Sequence, residues 1–185
     1  MPTLGTVVAV QAAGLIPDAT HLWWDLRLHP LYGTLEFRIA DAQTRVAEAG
    51  AVAAVCQALV AALAARFDAG EKLTVHETER IAENRWAGVR DGLAGVLADL
   101  DTGGPMAART RIGFLLAAVE PAAEALGSRN ELLAAWTLLA ENGAGRQRRV
   151  VARTGLDGLV RRLADDTEQG PAGESSSCAC DGRAR

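Results

Sequence analysis

Glu36 and Arg38 stand two residues apart in a segment whose polar and apolar residues alternate. Because successive side chains of a β-strand point to opposite faces, the pattern predicts a half-buried strand with this carboxylate and this guanidinium on one face. A carboxylate can hold Mg²⁺, and an arginine can neutralise charge on a phosphoryl group in transfer. The pair therefore has the chemistry that ATP-dependent activation of a carboxylic acid requires. The alternate positions are apolar: Leu35, Phe37 and Ile39.

The preceding segment, residues 21–29, alternates in the same way and is joined to this strand by a connector with turn residues at both ends. We predict a β-hairpin in which Arg27 lies opposite Glu36 and Asp25 lies opposite Arg38. A shift of one residue would lose both pairs, so strand register and charge agree. The apolar positions Leu22, Trp24, Leu26 and Leu28 form the opposite face, which we expect to be the buried one.

A structural interpretation of the same charges stands beside the chemical one. Cross-strand ion pairs are common on the solvated face of a hairpin, where each contributes on the order of 0.2–1 kcal/mol. From the pattern alone, the four charged residues could do no more than hold the two strands in register.

Four motifs in this sequence, taken together, resemble the carboxylate–amine ligase branch of the glutamate–cysteine ligase family. They follow one another in that family's order. The motifs are WWDLRLHP at residues 23–30, GTLEFR at residues 33–38 with Asp41, ENRWAGVRDGL at residues 83–93, and GAGRQR at residues 143–148.

The resemblance implies a catalytic fold like that of glutamine synthetase and a reaction that uses ATP and Mg²⁺. In that reaction a carboxylate, typically that of glutamate, takes the γ-phosphoryl group of ATP to give an acyl phosphate. An amine, typically that of cysteine, then displaces phosphate and forms an amide. The small-molecule partners implied are therefore a carboxylate and an amine, glutamate and cysteine by resemblance.

Roles for individual residues also come from the resemblance. Glu36 would be a Mg²⁺ ligand, and Arg38 would be the catalytic residue that stabilises the phosphoryl group in transfer. Arg27 and Asp25 would bind the nucleotide. The substrate-binding residues implied are Asn84 and Arg90; from the residues alone, Arg90 could equally stack on Trp86 one helical turn away.

Family members carry roughly as much sequence again ahead of these motifs, with further strands and metal-binding carboxylates. We therefore expect residues 1–164 to be the C-terminal half of a ligase catalytic domain, completed by an N-terminal half or within a homo-oligomer. One strand carboxylate cannot hold the metal ions and ATP by itself, so the isolated chain should be inactive. The alternative is a non-catalytic helical binding module that has lost the nucleotide site and exposes the hairpin edge.

The composition is that of a mildly acidic domain, with a formal net charge of −4 and 49% apolar residues. This charge argues against a nucleic-acid surface. The most apolar run, residues 51–65, is interrupted by Gln57 and followed by Arg66, so we expect a core helix and no membrane segment. No signal peptide is recognisable, which makes a cytoplasmic location the default. Three cysteines do not form a disulfide framework; Cys56 should pack in the core, and Cys178 and Cys180 fall in the tail.

The rest of the chain reads as mainly helical, so the predicted fold class is α+β: a small antiparallel sheet, the hairpin at 21–40, packed against a helical C-terminal part. We predict that Thr44 caps a helix apolar on nearly all sides and that Pro121 kinks or breaks a later one.

Six arginines between residues 146 and 162 could suggest DNA binding, but a solvated helical face split at Gly155 fits the acidic composition better. The remaining predicted elements are helices at 77–91 and 130–141, a short strand or loop at 93–100, and a disordered tail at 165–185.

Overall fold

A computed structural model describes residues 4–29 and 31–168 of the 185-residue chain. This part of the chain is α+β, as predicted: six helices accompany two antiparallel sheets of two strands each. Cys178, Cys180 and the predicted tail from residue 169 onward lie outside the described residues. The elements are α1 (Leu4–Ala12), β1 (Leu26–His29), β2 (Thr34–Phe37), α2 (Val46–Asp68), α3 (Thr78–Asp91), β3 (Val96–Ala98), β4 (Pro105–Ala107), α4 (Ala108–Ala125), α5 (Arg129–Ala140) and α6 (Gly143–Glu168).

The first hairpin has the register that the alternating sequence predicts, with Arg27 paired to Glu36 along β1 and β2. The connector closes at Gly33, whose φ of 61° lies in the left-handed region that glycine tolerates best. Both strands are shorter than predicted. Beyond Phe37 the pairing continues only through the Arg38 amide, which donates to the Asp25 carbonyl at 2.8 Å. Residues 22–25 belong to no strand, and no backbone hydrogen bond joins residues 39–44 to β1.

The core is a three-helix layer formed by α2, α4 and α5. Small side chains at the contacts let the helices approach closely, and longer ones fill the space between them. This arrangement explains why an alanine-rich sequence with three phenylalanines can still build a packed interior. The most deeply buried members are Ala51, Ala58, Leu116, Val119, Ala123 and Leu132.

Helix α2 departs from the prediction at its start and on its outer side. Its N-cap residue is Arg45, which makes no side-chain cap, so Thr44 is not the capping residue. Only Ala51, Ala54 and Ala58 are fully buried, and the prediction of burial on most sides is wrong. By length and composition alone this helix would also pass as a membrane span, with a mean hydropathy of 1.9. Core helices of globular proteins share those two properties.

Helix α4 runs without interruption through Pro121, so the helix does not break there as the prediction allowed. Proline removes one helical hydrogen bond, but Val119 and Ala123 on either side of it are buried against the neighbouring helices. This packing offsets the lost bond and keeps the helix continuous. Strand β4 was not predicted, because its three residues are too few to show an alternating pattern.

Helix α6 is kinked at Gly155, where φ is 70°, as the sequence predicts. It continues to Glu168, so residues 165–168 are helical rather than part of the tail. Asp166 is buried there and accepts hydrogen bonds from Arg45 at 3.0 Å and Arg162 at 2.8 Å. Burial raises the pKa of Asp166, but the hydrogen bonds from the two arginines outweigh it and hold the pKa below its ordinary value. The ion pairs therefore fasten the end of α6 to the start of α2.

Candidate active site

The carboxylate of Glu36 lies between two arginines on the polar face of the first hairpin. Arg27 Nη2 donates to Glu36 Oε2, and Arg38 Nη1 donates to Glu36 Oε1 at 3.0 Å. The side chain of Arg27 is only 5% exposed, whereas those of Glu36 and Arg38 are about one-third exposed. Arg27 is therefore a fixed positive charge at the base of the hairpin, and the other two groups can meet a ligand from solvent.

Burial of the hairpin differs from the prediction. The polar face holds the buried Arg27, while Leu28, on the face expected to be buried, is 44% exposed. On that apolar face, Phe37 and Leu35 line a groove shared with Cys56 of α2. Leu28 lies opposite Leu35 and remains largely open. Helix α2 thus covers the apolar face around Phe37 and leaves the rest uncovered.

The backbones of Asp25 and Arg38 are hydrogen-bonded, but their side chains do not form the predicted cross-strand ion pair. Each side chain binds a different residue. Asp25 Oδ2 accepts a hydrogen bond from Arg85 Nε at 2.8 Å. The Arg38 guanidinium binds Glu36 and lies 5.9 Å from the ring centroid of Trp23, within cation–π range. Sequence reasoning missed Arg85 as a site residue; its position next to Asn84 in the third motif was the one available signal.

The two predicted substrate residues on α3 make contacts away from Glu36. Asn84 binds the backbone of β3 with both ends of its amide: Nδ2 donates to the Ala98 carbonyl at 2.8 Å, and Oδ1 accepts from the Ala98 amide at 2.7 Å. Arg90 donates to Asp91 and lowers the pKa of that carboxyl, instead of stacking on Trp86. In this arrangement Asn84 fastens a strand to a helix, and a substrate role for it or for Arg90 stays a prediction.

The charge of the hairpin site favours an anion over a free metal ion. Arg27 and Arg38 carry two positive charges against the one negative charge of Glu36, and Asp25 is balanced by Arg85. Mg²⁺ is usually held by one or two carboxylates together with water and phosphate oxygens. No cluster of three or more histidine, cysteine or carboxylate side chains suited to a metal occurs in residues 4–29 and 31–168. These residues fit a phosphate group, and by themselves they do not fit Mg²⁺.

Comparison with models of protein families shows to which family the chain belongs. The model of glutamate–cysteine ligase family 2 matches residues 4–174, which is nearly the whole chain. The chain belongs to this family. The four motifs and the Arg27–Glu36–Arg38 set all fall inside the matched region.

Curated relatives show the same kinship and also a difference in length. A provisionally named glutamate–cysteine ligase 2 from Chloroflexus aggregans is 36% identical over 159 residues, covering 85% of this chain and 41% of its own length. Similar proteins, with the same provisional name, come from Roseiflexus sp. strain RS-1, 40% identical over 159 residues, and Solibacter usitatus, 35% identical over 170 residues. The match to the Roseiflexus protein covers 84% of this chain and 41% of the relative. The match to the Solibacter protein covers 91% of this chain and 44% of the relative. The chain spans about two fifths of the length of the curated relatives that it matches.

The third and fourth motifs of the family meet in the folded chain. A cavity of about 540 Å³ lies between residues 88–94, at and just after the end of α3, and residues 140–149, which run from the end of α5 into α6, with Arg109 also at its wall. Arg109 Nη1 donates to the Ala140 carbonyl at 3.4 Å, which ties α4 to the end of α5. Sequence spacing alone gave no sign that these two motifs are neighbours.

Proposed function

We propose that this chain forms the phosphoryl-binding part of an ATP-dependent carboxylate–amine ligase. The observation that carries the proposal is the Arg27–Glu36–Arg38 set, a buried arginine and a partly exposed one held on either side of a carboxylate. Family membership supports ligase chemistry, and the relatives' names point to glutamate as the acid and cysteine as the amine. The net positive charge of the set suits the phosphate groups of a nucleotide and an acyl-phosphate intermediate.

In this proposal each residue of the set has a separate task. Arg27, fixed by burial, contributes a permanent positive charge toward a nucleotide phosphate. Arg38 is exposed enough to follow the phosphoryl group as it moves to the substrate carboxylate, with Glu36 and the Trp23 ring limiting its rotamers. Asp25 acts indirectly, through its exposed ion pair with Arg85, which joins α3 to the hairpin.

Magnesium requires more than these residues supply. Glu36 could contribute one oxygen ligand, but both of its oxygens are bound to arginines in the structure. Further carboxylates would have to come from the portion of the ligase domain that the longer relatives have and that this chain does not match.

Isothermal titration of ATP, with and without Mg²⁺, tests the proposal on the purified 185-residue chain. Arg38→Gln should weaken nucleotide binding at least about tenfold, because a charge-assisted contact to phosphate is lost. Arg129→Gln is the matched control, since Arg129 forms an exposed ion pair with Glu120 far along the sequence. No ATP binding by the folded chain, either alone or together with the rest of a ligase domain, or an equal loss of affinity in both variants, would contradict the proposal.

Glu36→Gln separates the two tasks that this carboxylate could have. If Glu36 is only the counterion of the arginines, its neutralisation raises the net charge of the set, and metal-free ATP binds several times more tightly. If Glu36 also ligates Mg²⁺, the additional affinity conferred by Mg²⁺ disappears in the same variant. Glu120→Gln serves as the control and should change neither quantity.

The second candidate function is a non-catalytic binding module of the same fold. It is favoured by the lack of a metal-ligand cluster in the described residues. In that case the chain would bind no nucleotide, alone or together with the rest of a ligase domain, and Arg27, Glu36 and Arg38 would contribute only to stability. ATP titration of the chain, alone and together with the rest of a ligase domain, distinguishes the two functions.

A further inference from the structure

Both halves of α6 line one small cavity. Residues 143–153 lie before the kink at Gly155 and residues 159–166 lie after it, and within each half the lining positions mostly recur every three or four residues. Thr44, the residue before the N-cap of α2, lines the cavity as well. We call this space the α6 cavity. Its volume of about 210 Å³ is below the roughly 300–1,000 Å³ of pockets that hold drug-sized ligands, so it suits a small ion or group.

Arginines dominate the charged lining of the α6 cavity. Arg146, Arg149 and Arg153 come from the first half of α6, and Arg162 comes from the second half. Asp166 is the one carboxylate among the lining residues. The kink of the helix therefore gathers into one cavity arginines that belong to different halves of α6.

Two of these arginines are held by carboxylates outside the cavity lining. Arg146 Nη2 lies 2.7 Å from a carboxylate oxygen of Glu48, and the two side chains are only 17% and 11% exposed. Arg149 Nη2 donates to Glu141 Oε2 at 2.6 Å. These bonds hold the two guanidinium groups at the cavity wall without bringing a further carboxylate into the cavity.

The remaining charges of the cavity are not balanced. Asp166 accepts hydrogen bonds from Arg162 and also from Arg45, so one carboxylate serves two arginines. Arg153 is exposed and forms no ion pair within residues 4–29 and 31–168. When the lining arginines are counted with the partners that they bind, five arginines meet three carboxylates, and two positive charges are left over.

The start of α2 adds to this positive field. The first amides of a helix have no helical partner, and the helix dipole places partial positive charge at the N-terminus. Arg45, the N-cap residue, gives these amides no side-chain cap, and Glu48, the acidic residue of the first turn, is bound to Arg146. A helix N-terminus beside arginines has the two features by which proteins commonly bind a phosphate group.

We propose that the α6 cavity binds a phosphate dianion, either free or as the end group of a small phosphorylated molecule. A phosphate group carries a charge of about −1.5 to −2 at pH 7, which matches the two positive charges that are left over. Arg153 is the lining arginine that no described carboxylate occupies, so its guanidinium makes the main contact. The cavity shares no lining residue with the hairpin site, and the inference does not depend on the ligase function. The bound phosphate joins the start of α2 to both halves of α6.

Isothermal titration of sodium phosphate into the purified 185-residue chain tests the proposal. The titration is made at neutral pH and constant ionic strength on the Arg38→Gln variant, in which the hairpin site is weakened. We expect saturable, one-to-one binding, and a Tm that rises with phosphate concentration because phosphate binds the folded chain. Hydrogen exchange at saturating phosphate should slow at the start of α2 and in both halves of α6, and stay unchanged in α3.

Two variants with the same chemical change locate the phosphate. Arg153→Gln, added to the Arg38→Gln chain, should weaken phosphate binding at least about fivefold, because a charge-assisted contact is lost. Arg161→Gln is the matched control. Arg161 is also an exposed arginine of α6 without an ion pair in the described residues, but it does not line the cavity, so phosphate affinity should stay the same. Circular dichroism establishes that both variants remain folded.

Titration of ATP into the chain with Arg38 intact distinguishes the two sources of the phosphate group. If Arg153→Gln weakens ATP binding as much as it weakens phosphate binding, the cavity takes the end group of a phosphorylated molecule. If ATP affinity is unchanged, the ligand is free phosphate.

Three outcomes overturn the phosphate proposal. They are a folded Arg38→Gln chain that binds no phosphate; equal losses for Arg153→Gln and Arg161→Gln, which would indicate general attraction to a basic surface; and slowed exchange confined to the first hairpin. Failure of the proposed function looks different. Phosphate binding in the α6 cavity without ATP binding refutes only the ligase proposal, whereas ATP binding that depends on Arg38, without phosphate binding in the cavity, refutes only this inference.

Discussion

Asp166→Asn should destabilise the domain more than any exposed ion-pair variant, although it lies two residues beyond the domain end that composition predicts. The Asp166 carboxylate is 4% exposed and accepts from Arg45 at 3.0 Å and from Arg162 at 2.8 Å. Asparagine keeps the shape and removes the charge that both guanidinium groups need. The two arginines are then left close together without a counterion.

The expected loss in the free energy of unfolding follows from the burial of Asp166, Arg45 and Arg162. Removing one member of a fully buried ion pair costs about 3–5 kcal/mol, because the other charge is left uncompensated. Here the Arg45 and Arg162 side chains are 33% and 48% exposed, so water replaces part of the lost interaction. We therefore expect a loss of about 2 kcal/mol in the free energy of unfolding. Glu120→Gln, which breaks an exposed pair with Arg129, should cost under about 1 kcal/mol.

Urea unfolding at neutral and acidic pH provides the assay. The folded-state pKa of Asp166 is lowered, so its contribution is complete above the ordinary value of 3.8 and is lost as the pH falls through the folded-state pKa. The difference between wild type and Asp166→Asn should be largest at neutral pH and shrink below about pH 4. Equal losses for Asp166→Asn and Glu120→Gln at neutral pH, or a difference that does not change with pH, would refute the reasoning.

Three further predictions concern the core, the α3 contact and the thiol. Leu132→Ala should cost about 3 kcal/mol and Leu133→Ala under about 1 kcal/mol in urea unfolding, since the first leucine is 0% and the second 40% exposed; similar costs would contradict the assigned core. Asp25→Asn and Arg85→Gln, combined in a double-mutant cycle, should couple by no more than about 1 kcal/mol because both side chains are well exposed; a coupling several times larger would show that the pair is buried. Burial raises the pKa of the Cys56 thiol, so less thiolate is present at pH 8 and iodoacetamide should alkylate Cys56 more slowly than it alkylates a small free thiol, as followed by peptide mass spectrometry; an equal rate would count against that burial.

The register of the first hairpin could be predicted because it depends on local alternation. Only one register of β1 against β2 places Arg27 opposite Glu36 and keeps the polar residues of both strands on one face. The structure has that register. The kink of α6 was predictable for a similar reason, since Gly155 tolerates a φ of 70° that other residues avoid. Such features are fixed by interactions within a few residues or between adjacent strands.

Other features depended on distant contacts and could not be inferred in this way. Pro121 signals a break in any isolated helix, but α4 continues through it with buried residues on either side. The hydrogen bond from the Asn84 amide to the backbone of Ala98, fourteen positions later, also has no local signal in the sequence. Asp166 looked like the start of a tail, yet it binds Arg45, 121 positions earlier. Local pattern carries no information about which partner lies across the fold.

The sequence by itself determined the family, the α+β class, the hairpin register and the placement of Arg27, Glu36 and Arg38 on one face of the hairpin, since these depend on residue order and periodicity. Only the tertiary structure decided which groups are buried and what they contact. It buried Arg27 rather than Leu28, joined Asp25 to Arg85, and left Val46, Val60 and Phe67 of α2 exposed. The physical reason is that burial depends on how many layers cover a surface, and periodicity shows which residues share a face but not whether another element covers it.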